Sequence, residues 1–160
     1  MSGGPIFPNS AFPVTAGNVF PNFHVGAGAN SKHDEGLGVA ASIVADSIWR
    51  LRYQLPPVIP AGTAKLRLLA LANATSGAAK VTVKDAVVAA GGNPSSAALT
   101  SETQGTVTWA AGNNDQYMEL KVPLTPAMVA SSMLVVDLVF NTTGWSLAAV
   151  STWIASLIWE

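Results

Sequence analysis

Nucleophilic catalysis by a serine or threonine needs a base beside the hydroxyl, and only His24 and His33 offer an imidazole for that work. Both fall in the Gly- and Pro-rich first 45 residues, away from any expected strand, so no triad is expected. His33-Asp34-Glu35 sets three metal-ligand types in a row, but adjacent residues of one loop seldom converge on a single ion. Glycoside hydrolysis needs two carboxylates facing each other across a cleft. Asp46, Asp85, Glu102 and Glu119 are scattered over separate strands or loops, and their spacing selects no pair. Asn113-Asn114-Asp115 has the residue types of a calcium loop and those of a turn between strands, and the turn is the preferred reading. The glycines of VGAGAN lack the strand before and the helix after that a phosphate loop requires. The absence of cysteine removes thiolate catalysis, disulfides and Cys-ligated metals together. The expectation is a chain that is not an enzyme and holds no metal and no cofactor.

What the chain does show is an uneven placement of charge. No Lys, Arg, Asp or Glu occurs from Met1 to Ser31, and from Val122 onward only Asp137 and Glu160 are charged. Charged residues make up 11% of the 160, against roughly 25% in an average globular protein. Free monomers normally spread mixed charge over their surface, so neutral ends predict surfaces that are covered when the protein works. The net charge of −1 carries no general attraction for nucleic acid or an anionic membrane, and neither is an expected partner. No run approaches the ~18 apolar residues of a membrane span, and MSGGPIFPNSAFPVTAG lacks a basic start and a continuous apolar stretch, so a soluble product made in the cytoplasm is expected.

The elements follow from punctuation and period. Residues 1–45 are expected to be an extended N-terminal arm and loops, with one strand near Val39 to Val44, because proline after Phe7, Phe12 and Phe20 disfavours helix. Phe7, Phe12, Phe20 and Phe23 on such a segment need cover, either from the chain's own sandwich or from a neighbouring subunit. From Ser47 the apolar period is close to two: Trp49, Leu51 and Tyr53 oppose Arg50 and Arg52, and Val81 and Val83 oppose Lys80, Thr82 and Lys84. Trp49, Leu51, Leu68, Val83, Trp109 and Leu120 are the predicted inward set. GTVTWAAGNNDQYMELKV is predicted to be a hairpin, and Thr125-Pro126 to open one helical turn over 126–131. MLVVDLVF and VSTWIASLIWE close the chain as strands that are apolar on nearly both faces. Seven or eight strands without a long amphipathic helix predict residues 46–160 to be an all-β domain, an antiparallel β-sandwich of jelly-roll type.

Three surface questions stay open at this level. Arg50, Arg52, Lys65, Arg67, Lys80, Lys84 and Lys121 lie on predicted strands, and form either a basic docking stripe or solvated faces balanced by Asp85, Glu102 and Glu119. Asp137, between Val135 and Val139, needs a partner such as Arg50 or Lys121 if it is buried. Trp145, Trp153 and Trp159 form either a sugar-stacking platform or part of a core or interface.

The stretches PAGTAKLRLLALANATSGAAKVTV from Pro60, TVTW from Thr106 and LVVDLVFNTTGWSLAAVSTW from Leu134 give the chain a style and strand order that resembles jelly-roll decoration, or cement, proteins of tailed bacteriophages. The resemblance implies a non-catalytic virion component on the outer capsid surface. Its implied partners are the major capsid protein and further copies of itself as a dimer or trimer, with Phe7, Phe12, Phe20 and Phe23 as candidate partner contacts. The alternative is a carbohydrate- or receptor-binding β-sandwich module of a tail fibre or secreted enzyme, which shares the fold and should show an exposed aromatic groove.

Overall fold

The computed structural model describes residues 4–14, 19–21, 37–39, 43–113, 116–149 and 151–160. Its strands are β1 (Ser10–Pro13), β2 (Val19–Pro21), β3 (Leu37–Val39), β4 (Ser47–Gln54), β5 (Ala64–Ala72), β6 (Gly77–Val88), β7 (Thr100–Trp109), β8 (Met118–Pro123), β9 (Met133–Phe140) and β10 (Ser151–Trp159). They form two antiparallel five-stranded sheets, sheet I in the order β1-β4-β9-β6-β7 and sheet II in the order β2-β3-β10-β5-β8. The fold is thus the expected all-β sandwich, and seven of the strands lie beyond Ser47.

The period of two works as anticipated on the strands that have one wet face. In β4, Ser47, Trp49, Leu51 and Tyr53 are buried while Arg50 and Arg52 point outward, and in β5 Leu66, Leu68 and Ala70 face in while Lys65 and Arg67 face out. Trp49, Leu51, Leu68, Val83 and Trp109 are buried in the core, and Leu120 packs against it. β9 and β10 are each the third of five strands, which explains why both read as apolar on nearly both faces. Between the sheets Trp153 of β10 meets Phe140 of β9 edge to face, with ring centroids 5.3 Å apart, and Trp109 of β7 at 6.5 Å.

The structure departs from expectation at two connections. Residues 105–122 are not a hairpin: β7 pairs with β6 in sheet I, whereas β8 pairs with β5 in sheet II. Residues 110–117 are too long for a tight two-residue turn, and the chain uses them to cross between sheets. Within β7, Gly105 leaves room for Leu120 of β8, because a Cβ there would stand 2.5 Å from a Leu120 methyl. Residues 126–131 form no helical turn. The segment is tied outward instead, with Leu124 N–H donating to Ala64 and Ser131 N–H donating to Pro56, and Ser131 takes a positive φ of 59°.

The described parts of the first 45 residues lie along one side of the sandwich. Ile6 bridges Leu157 of β10, β1 pairs with β4, and β2 pairs with β3, which itself borders β10. The segment therefore passes from sheet II to sheet I and back. Phe23 is outside the described residues, as is the side chain of Phe20.

Tyr53 gives the core a pH dependence. Its hydroxyl is buried and has no hydrogen-bond partner among the described residues, and burial pushes the phenol well above its ordinary value of 10.0. A raised folded pKa means that the neutral form is the one the fold prefers. The contribution is whole below pH 10.0 and is lost as pH rises above it, because the unfolded chain then gains by ionising. Urea midpoints measured from pH 8 to 11 should fall above about pH 10 in the parent and fall less in Tyr53→Phe. Identical slopes in the two proteins would refute the assignment.

Candidate functional site

The outward registers of the two sheets build two outer faces. On sheet I, cross-strand pairing brings Phe12, Arg50, Asp137 and Lys84 into one row, with Arg52 in the next. Asp137 finds one of its two anticipated partners: Arg50 donates Nε and Nη2 to its two carboxylate oxygens, both at 2.7 Å. That bond raises the Arg50 guanidinium further above its ordinary value. Arg52 lies 5.0 Å above the Phe12 ring and donates to the Ser95 hydroxyl, so this face is stitched to the N-terminal segment and to the loop after β6. At its far end Asp46 accepts the backbone N–H of Thr142 and its hydroxyl, and the N–H bond chiefly holds that carboxyl below its usual range.

On sheet II, β5, β8 and the end of β10 wall an open groove of about 520 Å³, lined by Pro5, Arg67, Glu119, Lys121, Ile158, Trp159 and Glu160. Arg67 Nε donates to Glu119 at 2.5 Å, Lys65 donates to Glu160 at 3.0 Å, and Lys121 donates to the other Glu160 oxygen. Lys121 first, then Lys65, hold the Glu160 carboxyl below its usual range, and Glu160 in return raises Lys121. The groove thus offers two cations and two carboxylates whose positions are fixed by one another. Tyr117, 58% exposed, stands one residue before β8 in the register of Glu119 and Lys121.

These placements answer the surface questions. The seven strand cations do not form one stripe: Arg50, Arg52, Lys80 and Lys84 belong to sheet I, and Lys65, Arg67 and Lys121 to sheet II. Asp85 balances neither face, because it sits fully buried in the inward register of β6. Trp153 and Trp159 are buried in the core, and Trp145 packs on Phe140 with its Nε1 donating to Leu147, so the three indoles make no platform. Phe7 is 59% exposed and Phe12 half-buried. His24, His33, Asp34, Glu35, Asn114 and Asp115 lie outside the described residues, and so does the Glu102 side chain. The lattice around Glu160 and the exposed Tyr117 escaped sequence reasoning. The expected hairpin hid which strands flank Lys121, although the shared register of Tyr117, Glu119 and Lys121 was there to be read.

No protein-family profile and no curated protein matches the chain. Solved structures similar to it include the family 11 carbohydrate-binding module from Clostridium thermocellum in complex with a β-1,3-1,4-mixed-linked tetrasaccharide, at 7% identity and a TM-score of 0.48 over 94% of this chain and 88% of that one. A family 29 carbohydrate-binding module is similar at 10% identity and a TM-score of 0.44, over 98% and 90%. TmCBM61 bound to β-1,4-galactotriose is similar at 12% identity and a TM-score of 0.43, over 94% and 88%. At such identities and scores the likeness is one of fold alone.

The two ion-pair systems should differ sharply in weight. Asp137→Asn strands an Arg50 side chain that is only 17% exposed and should cost about 2–3 kcal/mol, somewhat below a fully buried pair. Glu119→Gln breaks a pair whose side chains are 37% and 41% exposed and should cost less than about 1 kcal/mol. Equal losses in chemical denaturation would show that the sheet I pair is no more sheltered than the sheet II pair.

Proposed function

We propose that the chain is a non-catalytic carbohydrate-recognition module that binds a neutral glycan along the outer face of sheet II. The observation that carries this reading is the 520 Å³ groove with its fixed, charge-balanced walls. A sugar hydroxyl both donates and accepts, so it gains from Arg67 and Lys121 as donors and from Glu119 and Glu160 as acceptors. A polyanion gains no net attraction where two carboxylates offset two cations, and an apolar ligand would have to strip water from four charged groups. Exposed Tyr117, one residue before β8 and in the register of Glu119, offers a ring for stacking on a pyranose. Affinity electrophoresis through gels containing soluble neutral polysaccharides should retard the parent, and Tyr117→Ala or Arg67→Ala should bind about tenfold more weakly. Unretarded migration in every neutral polysaccharide would sink the reading.

A second reading, decoration of a bacteriophage capsid, is favoured by a different observation. Phe7, Val14, Val44, Val58 and Val129 are all large apolar side chains left exposed, and two of them lie on the uncharged N-terminal segment. A capsid lattice would cover such side chains. Under this reading, deleting residues 1–31 leaves a cooperatively melting domain that co-sediments with capsids much less than the parent. Unchanged co-sedimentation would remove the N-terminal phenylalanines from the capsid contact.

A further inference from the structure

Residues 4–14 are held in an unusual way for a segment that closes a sandwich. Their attachments are largely main-chain: Ile6 exchanges both backbone bonds with Leu157, at 2.9 and 2.8 Å, while Asn9 N–H donates to Arg52 at 2.7 Å and Val14 N–H to Ile48 at 2.8 Å. β1 runs along β4 from Ser10 opposite Arg52 to Pro13 opposite Trp49. None of the described side chains of this segment is buried, and Ile6 alone among them packs against the core. Backbone ladders give affinity with little regard to which molecule supplies the strand, because each residue offers the same N–H and C=O.

The strands beneath are different. With residues 4–14 lifted away, β4 would present an eight-residue edge bearing Trp49, Leu51 and Tyr53, and β10 would lose its cover at Leu157. Bare edges of that length recruit another strand. The strand that fits both, in the right register and with Phe12 placed over Arg52, is residues 4–14 of a second copy of this chain. No charge from Met1 to Ser31 opposes two such segments meeting.

We infer that residues 4–14 are an exchangeable strap, which can leave its own β4 and β10 edges and pair with the same edges of a second copy. Closed and exchanged forms make the same bonds, so concentration decides between them, with a crossover of millimolar order for a short connection. A crowded assembly shifts the balance toward exchange. This inference is independent of whether the groove binds sugar.

The chain contains no cysteine, so single introduced thiols report without background. Ser10→Cys and Arg52→Cys, each in a separate full-length chain, are mixed at about 1 mM, the scale at which exchange competes with closure, and then oxidised. Exchange predicts about tenfold more disulfide-linked heterodimer than a control mixture of Ser10→Cys with Thr108→Cys, since Thr108 lies on β7 at the far edge of sheet I and shares no register with Ser10. Equal heterodimer yields overturn the inference. A Ser10→Cys/Arg52→Cys double variant, closed by oxidation in the dilute state, should then stay monomeric when concentrated; a dimer that still forms would also overturn it. Should either thiol variant fail to fold, the unsubstituted chain decides: stored near 1 mM and diluted, it should show slowly decaying dimers by native mass spectrometry, and monomer alone from the first time point refutes exchange.

Discussion

Everything in this sandwich depends on covering two strands. β9 and β10 are apolar on nearly both faces and sit at the middle of their sheets, so each needs a neighbour on both edges, the opposite sheet on one face and something over the other. Between the sheets the cover is the cluster of Trp109, Phe140 and Trp153, together with the leucines and valines of β4, β5 and β6. Outside, it is long side chains. Val135 and Val139 face away from the core yet are buried, flanked in register by Arg52 and Ala86 and by Ile48 and Thr82. Arginine stems can shield apolar surface while their heads stay wet, and Asp137 pins one of those heads in place.

That requirement gives a local cause for part of the charge pattern. Residues 122–160 are nearly neutral largely because they contain both central strands, whose side chains meet protein on either face. The two charges they do carry each neutralise cations from flanking strands: Asp137 takes Arg50 of β4, and Glu160 takes Lys65 of β5 and Lys121 of β8. The neutrality of residues 1–31 has another setting. Its described parts are edge strands that add main-chain bonds to strands already supplied with side chains, so they have little need of charge or of bulk.

Much of the fold was legible in the sequence because the period of two is a local property. Trp49, Leu51 and Tyr53 against Arg50 and Arg52 reveal a strand and its wet face without any knowledge of neighbours. Asp137 between two valines raised the question of a buried acid, with Arg50 or Lys121 as the partner it would then need. What period cannot supply is pairing. β7 and β8 each have a clean pattern and are consecutive, yet they belong to opposite sheets, and the eight-residue connection at 110–117 was the only warning. The same blindness left the seven strand cations as one possible stripe, when pairing divides them between two outer faces. Thr125-Pro126 shows the limit of capping signals: tertiary bonds from Leu124 and Ser131 to other segments outweigh a local preference.

The candidate site was the least legible part, for a related reason. A groove on a sheet face is made by side chains from three strands, and its charge balance exists only once Arg67, Glu119, Lys121 and Glu160 are placed side by side. The sequence drew attention to Trp145, Trp153 and Trp159 instead, which could form either a stacking platform or part of the core. A sandwich this poor in charge has a prior use for large rings, which is to fill the space between its sheets, and Trp49, Trp109 and Trp153 are almost wholly buried there. With the indoles committed to stability, the outer faces are left to groups that the core cannot use. On sheet II the β5–β8 pairing, which closes the edge of the sandwich, sets Arg67 opposite Lys121 and Leu69 opposite Glu119, and Glu160 is held between Lys65 and Lys121.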